Sequence, residues 1–146
     1  MHLVNAYTIL ANIGSQTQLK YISNTYPDDN KQVLDVQISN TILDMMSEVV
    51  HSPDGTGKKA SVSGYTVYGK TGTVRKIKNG EYNKNLHNAL FIGILGDPKP
   101  KYVAAVIIRE PQDREGSGGF HAAPVFREFL QHTMRILDDI RYAGTD

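Results

Sequence analysis

The sequence predicts an α+β fold, in which a three-stranded antiparallel sheet packs with helices. Three observations carry this expectation. Apolar residues recur at helical spacing at both ends of the chain and again between Ile42 and Val50. Three stretches rich in Val, Ile, Thr and Tyr follow one another between these helices. The connections between those stretches are short and turn-forming, which suits antiparallel pairing and leaves no room for the crossover helices of a parallel sheet.

Leu3, Tyr7, Leu10 and Ala11 form the first helical stripe, with Gly14 placed to cap its end. From Ser15 to Asp35 the chain is polar and turn-rich, and Pro27, Asp28, Asp29 and Asn30 mark a loop. A second helix, capped by Ser39 or Asn40, buries Ile42, Leu43, Met46, Val49 and Val50. Pro53, Gly55 and Gly57 end it. Roughly the next 16 residues alternate as a strand does, and Thr73 to Ile77 extend it. Asn79-Gly80 is a bend, after which Ala89–Leu95 and Tyr102–Ile108 read as two strands. Gly96-Asp97-Pro98-Lys99-Pro100-Lys101 between them is a hairpin turn by composition. Gln112 to Gly119 is a loop, with Asp113-Arg114-Glu115-Gly116 its mobile part. Pro124 opens a long last helix whose inner stripe is Val125, Phe129, Met134, Ile136, Leu137 and Ile140.

The composition narrows the function classes. A chain of 146 residues, 40% hydrophobic and 21% charged, fits one globular unit. A formal net charge of +1 offers no field that would hold nucleic acid or an acidic membrane. There is no apolar run of about 18 residues, hence no spanning segment in this piece. The absence of cysteine excludes disulfides and thiolate metal sites, and the five histidines have no ligand spacing, so neither metal nor cofactor is expected. The first residues lack the pattern of a signal peptide and open directly in an amphipathic helix, as if entered mid-domain. Asp138-Asp139 reads as a solvated pair, and Arg75-Lys76-Ile77-Lys78 as a basic cluster at a hairpin end.

The chemistry-bearing stretch is GYTVYGKTGT, from Gly64 to Thr73. It matches the phosphate-loop pattern G-x-x-x-x-G-K-[ST] letter for letter. A phosphate loop, however, needs glycines free to wrap an anion and a helix directly after the Lys-Thr. Here the variable positions are Tyr65, Thr66, Val67 and Tyr68, all of high strand propensity, and Gly72 is a poor start for a helix. The alternative is a strand carrying Lys70-Thr71-Gly72-Thr73, the K-T-G element of β-lactamases and penicillin-binding proteins. Alternation puts Lys70 and Gly72 on one face and Thr71 and Thr73 on the other. Two hydroxyls and an ammonium suit a carboxylate, and an edge backbone N–H suits a developing oxyanion.

Surrounding text resembles the C-terminal part of the transpeptidase domain of class B penicillin-binding proteins, most closely the division-specific peptidoglycan D,D-transpeptidases. Leu3 to Gly14 is similar to the family's A-x-Y-x-x-x-A-N-x-G helix, and Gly55-Thr56-Gly57-Lys58-Lys59-Ala60 to its glycine-rich approach to the K-T-G strand. Gly118-Gly119-Phe120-His121-Ala122-Ala123-Pro124-Val125-Phe126 resembles its entry into the last helix. Tyr68 departs from the small or aliphatic residue expected two positions before the lysine.

This resemblance implies that residues 1–146 are the C-terminal portion of that domain, with three strands of a five-stranded sheet and the K-T-G strand at its outer edge. It implies serine acyl transfer on peptidoglycan stem peptides, with β-lactams acylating the same serine. Lys70 would supply positive charge, Thr71 and Thr73 would bind the substrate carboxylate, Gly72 would keep the approach open, and the Thr73 backbone would complete the oxyanion hole. It also implies a protein on the periplasmic face of the inner membrane, working with division-complex proteins. None of the serines has Lys three residues on or Asn two residues on, so the S-x-x-K nucleophile and S-x-N motifs fall outside this chain. Alone it should be inactive, and should pair with the missing half of the domain or with a second copy. A non-catalytic carboxylate-binding module is the alternative, and a nucleotide binder the remote one.

Overall fold

The computed structural model describes residues 2–17, 30–78, 80–96, 99–112 and 116–143. In chain order these form α1 (His2–Ala11), β1 (Ser15–Gln16), β2 (Lys31–Gln32), α2 (Val36–His51), a 3-10 turn (Lys58–Ala60), β3 (Thr66–Lys78), β4 (Glu81–Gly96), β5 (Pro100–Arg109) and α3 (Gly118–Ala143). The main sheet is antiparallel in the order β3-β4-β5, and β1 and β2 form a separate small ribbon. This is the α+β architecture expected, with β3 at one rim.

Several boundaries differ from the sequence expectation, each for a local reason. The end of α1 is a Schellman motif: Gly14 N–H reaches the Ile9 carbonyl at 2.8 Å and Ile13 N–H the Leu10 carbonyl at 3.0 Å. The left-handed position therefore falls on Ile13 (φ 53°), with Gly14 following at φ 87°. A β-branched residue is strained there, and Ile13 is held by packing against the α1–α2 cluster. Helix α2 begins earlier than expected, and its cap is Asp35 rather than Ser39 or Asn40. The Asp35 carboxylate accepts from Gln37 N–H at 2.7 Å and Ile38 N–H at 3.2 Å. Ser39 is instead a fully buried helical residue whose hydroxyl donates to the Asp35 carbonyl at 2.9 Å. The first helical turn was illegible because Val36 and Ile38 face solvent, so the apolar stripe starts only at Ile42.

Residues 58–65 are not strand. Gly57 to Ser61 tighten into the 3-10 turn, and Gly64 sits at φ 82°. Helix α3 starts at Gly118, ahead of Pro124, which lies inside the helix. The Ser117 carbonyl closes the first turn by accepting from Phe120 and His121 N–H at 3.0 and 2.9 Å. The inner stripe of α3 is Ala122, Ala123, Phe126, Leu130 and Met134, with Leu137 packed beside them. Val125, Phe129 and Ile136, expected inside, are 44%, 56% and 60% exposed. Two alanines carried the true period, and large residues drew attention away from it. Pro27, Asp28, Asp29, Asn79, Asp97, Pro98, Asp113, Arg114 and Glu115, and the side chains of Asp139 and Ile140, lie outside the described residues.

The core sits on both faces of the sheet. On one, Val67, Phe91 and Leu95 meet Ala122, Ala123, Phe126 and Leu130 of α3. Phe91 and Phe126 pack edge-on, with ring centroids 4.8 Å apart at 62°. On the other, Ile94, Tyr68 and Val103 meet Leu43 and Met46 of α2 and Tyr7 and Leu10 of α1. Burial there raises the Tyr7 pKa above its ordinary value.

Candidate functional site at the rim of the sheet

Residues 66–78 form one strand and the next element is another strand, so the phosphate-loop geometry is absent from this stretch. The register fixes where each predicted residue faces. Thr71 and Thr73 pair with Phe91 and Ala89, placing both hydroxyls on the α3 face. Lys70 and Gly72 pair with Ile92 and Leu90, on the face of α1 and α2. The structure thus brings the two threonines together and sets the lysine across the strand from them.

Backbone direction follows from one hydrogen bond. Val67 N–H leaves the sheet and donates to His51 Nε2 at the end of α2, at 3.2 Å. Accepting there requires the His51 tautomer that carries its proton on Nδ1. In an antiparallel strand, alternate residues aim both backbone groups the same way. The register runs unbroken from Thr66 to Arg75, so Gly69, Thr71 and Thr73 also point their N–H and C=O off the rim. The Lys70 ammonium folds back onto one of these carbonyls, donating to Thr71 O at 2.9 Å.

The threonine hydroxyls are held from behind. Gly118 N–H, at the start of α3, donates to Thr73 Oγ1 at 3.3 Å. The Thr56 and Thr71 hydroxyls lie 3.1 Å apart, one donating to the other. Helix α3 comes this close because Gly118 has no side chain. A Cβ there would overlap the Leu90 and Gly72 carbonyl oxygens and stand 2.9 Å from Gly72 N. At Gly72 the space that a Cβ would need is taken by the Leu90 side chain, 2.8–3.1 Å away, so glycine here also serves the packing of the opposite face. Lys59 Nζ lies 4.2 Å from the centroid of the Phe120 ring beside the helix start.

Beyond Thr73 the rim opens into a shallow cleft of about 450 Å³ lined by Thr73, Val74, Arg75 and Tyr82. The register with β4 shifts between Arg75 and Ile77. Lys76 in the basic cluster pairs with Glu110, whose pKa is held below the usual carboxylate range by that hydrogen bond and charge. Asp138 is not a simple solvated carboxylate, since it accepts from the Tyr65 hydroxyl at 3.4 Å. Among the described residues no group of three or more His, Cys, Asp or Glu is placed to hold a metal ion, and no helix is long and apolar enough to cross a membrane.

Thr56, Gly118 and His51 were not singled out as site residues from sequence. The only sequence signal was a hydroxyl residue between two glycines (Gly55-Thr56-Gly57) and the paired Gly118-Gly119.

Comparison with known proteins agrees with the α+β fold. Residues 1–131 match the family model of the penicillin binding protein transpeptidase domain. The chain is 33% identical, over 94% of its length, to a probable peptidoglycan D,D-transpeptidase PenA of Neisseria flavescens, of which it covers 34%. It is 32% identical, over 93% of its length, to the peptidoglycan D,D-transpeptidase FtsI of Buchnera aphidicola subsp. Baizongia pistaciae, covering 24% of that protein. Among solved structures, the apo transpeptidase domain of Burkholderia pseudomallei penicillin-binding protein 3 superposes with a TM-score of 0.79 at 32% identity, over 92% of this chain and 41% of that one. Mycobacterium tuberculosis penicillin-binding protein 3 complexed with aztreonam gives 0.78 at 27% identity, over 93% of this chain and 34% of that one. The chain therefore spans about a third or less of the curated relatives it matches. With a K-T-G-T strand at the rim of an antiparallel sheet and a family match over most of its length, the chain belongs to the penicillin-binding protein transpeptidase family.

Proposed function

We propose that residues 1–146 are the C-terminal portion of a peptidoglycan D,D-transpeptidase domain and contribute its carboxylate-reading strand. One observation carries this reading: Thr71 and Thr73 direct backbone groups off the free rim of β3 while their hydroxyls share one face and Lys70 takes the other. An extended stem peptide ending in D-Ala-D-Ala can add to that rim as a strand. Its terminal carboxylate then meets the Thr71 and Thr73 hydroxyls, and the Lys70 ammonium supplies positive charge beside the cleft.

The reaction is acyl transfer. A serine oxygen attacks the carbonyl carbon of the D-Ala-D-Ala bond, the terminal D-alanine leaves with a proton, and the acyl group passes to an amine of a neighbouring stem peptide. The Thr73 N–H is one of two donors to the oxyanion, and its carbonyl aligns the substrate amide. A β-lactam acylates the same serine. The nucleophile and its lysine base come from an S-x-x-K segment outside these residues, as does the S-x-N motif, so the chain by itself is inactive. The outer edge of β5 and the outward residues Val125, Phe129 and Ile136 of α3 meet the remainder of the domain, or a second copy. The names of the relatives support a peptidoglycan D,D-transpeptidase role, and work at cell division on the periplasmic face of the inner membrane is part of this proposal.

Fluorescent penicillin tests this. The isolated chain is expected to take no covalent label, and a protein joining it to S-x-x-K and S-x-N segments is expected to label at the S-x-x-K serine. Covalent labelling of the isolated chain would refute the reading.

A further inference from the structure

Thr56 lies outside the K-T-G-T strand, yet its position is fixed more firmly than an exposed loop residue requires. Both flanking glycines are tied to the end of α2: Gly55 N–H donates to the Ser52 carbonyl and Gly57 N–H to the Val49 carbonyl, each at 2.9 Å. A Cβ on Gly57 would stand 2.9 Å from the Phe91 ring, so the loop lies directly on the core. On the other side, Gly119 of α3 rests on the Thr56 carbonyl and the Thr71 methyl group. The loop, the strand and the helix start thus converge on one pair of hydroxyls, Thr56 and Thr71, 3.1 Å apart.

Proton accounting gives this arrangement a use. Three hydroxyls face the α3 side of the rim: Thr56, Thr71 and Thr73. A threonine hydroxyl has one proton to give and two lone pairs to receive. Thr73 Oγ1 already accepts from Gly118 N–H, so its own proton is free to point outward. One proton is spent between Thr56 and Thr71. Two remain, one for each oxygen of a carboxylate. The arrival of an anion beside Thr71 decides which way the Thr56–Thr71 bond runs, because only Thr71 donating outward gives the anion its second hydrogen bond. Thr56 then donates to Thr71 Oγ1, and hydrogen bonds in such a chain strengthen one another.

We propose that Thr56 is a positioning residue for carboxylate recognition, donating its hydroxyl proton to Thr71 so that Thr71 and Thr73 each present a proton to the C-terminal carboxylate of a stem peptide. This rests on the carboxylate-reading role of the strand proposed above. Thr56 does not touch the ligand and acts through Thr71.

The test is an NMR titration of the chain with N-acetyl-D-alanyl-D-alanine and with its C-terminal amide, following the backbone signals of Lys70 to Thr73. Thr56→Val is expected to weaken binding of the acid about five- to tenfold, the scale of one charge-assisted hydrogen bond in a coupled chain, and to leave binding of the amide unchanged. Thr56→Ser, which keeps the hydroxyl, restores the acid affinity. Adding Thr56→Val to Thr71→Val produces no further loss, since the effect runs through Thr71. Wild-type acid affinity in Thr56→Val, alongside a loss in Thr71→Val, overturns the relay and leaves the strand's role standing. Equal losses in Thr56→Ser and Thr56→Val also overturn it, by assigning the effect to packing. A wild-type chain that shows no shifts with the acid overturns the carboxylate reading itself, and the relay with it.

Discussion

Replacing Gly118 by alanine probes the contact on which the geometry of the rim depends. The new methyl group would overlap two backbone carbonyl oxygens, those of Leu90 and Gly72, and stand 2.9 Å from Gly72 N. None of these is the end of a flexible side chain. They belong to β3 and β4, paired through Gly72 and Leu90, so relief has to come from lifting the first turn of α3. Overpacking of this kind costs about 3 kcal/mol, at the upper end of its usual range. Alanine is the better helix former by about 1 kcal/mol, an advantage only partly realised at a helix start. The net loss is roughly 2–3 kcal/mol, which lowers the melting temperature of a chain this size by about 6–9 °C. Circular dichroism across a thermal ramp measures it, and the NMR signal of Thr73 should shift as the Gly118 N–H leaves its hydroxyl. A variant melting within about 2 °C of the parent would refute the close seating of α3 on the strand, because less than 1 kcal/mol would then be at stake.

The corrected inner stripe of α3 makes a paired prediction. Phe126→Ala, which removes a fully buried ring packed on Phe91, should cost about 3–5 kcal/mol, whereas Phe129→Ala on the outward face should cost under about 0.5 kcal/mol in urea unfolding. Asp35→Ala removes both carboxylate caps of α2 and should lose about 1 kcal/mol by the same assay, while Asn40→Ala should be nearly neutral. Glu110 has a depressed pKa, so its stabilising contribution is present above the ordinary carboxylate range and fades as pH falls through the lowered value. In Lys76→Met the Glu110 titration midpoint, followed by NMR, should move up toward its ordinary value. In the parent, added salt should narrow that difference, as expected for an exposed pair.

How much of this was legible in the sequence depends on which interactions fixed each feature. The apolar runs Ala89–Leu95 and Tyr102–Ile108, joined by a short turn, were readable as strands because their pattern is local, whereas the polar first half of β4, from Glu81, was not. The faces of Lys70, Thr71, Gly72 and Thr73 were readable too, since they follow from strand parity alone. The start of α2 was hidden because its first turn exposes Val36 and Ile38, so no apolar period announced it. In α3 the buried side is built from Ala122 and Ala123 next to Phe126, and small residues were chosen by the sheet rather than by any helical rule. The backing of the threonines was illegible for a stronger reason. Thr56 and Gly118 are 15 and 45 residues from their partners in the strand, and only the fold brings them together.

The β3–β4 hairpin runs past the rest of the sheet. The last pairing of β5 joins Arg109 to Asn88, and beyond it Glu110 N–H reaches the His87 carbonyl, so residues 76–78 and 80–86 rest on a two-stranded ribbon interrupted by a register shift. Ile77 and Tyr82 on it are 64% and 70% exposed. Such an overhang opens before the three-stranded body does. Its amides should lose protection in hydrogen exchange first, and limited proteolysis should nick the chain there while leaving Lys70 to Thr73 anchored in the intact body.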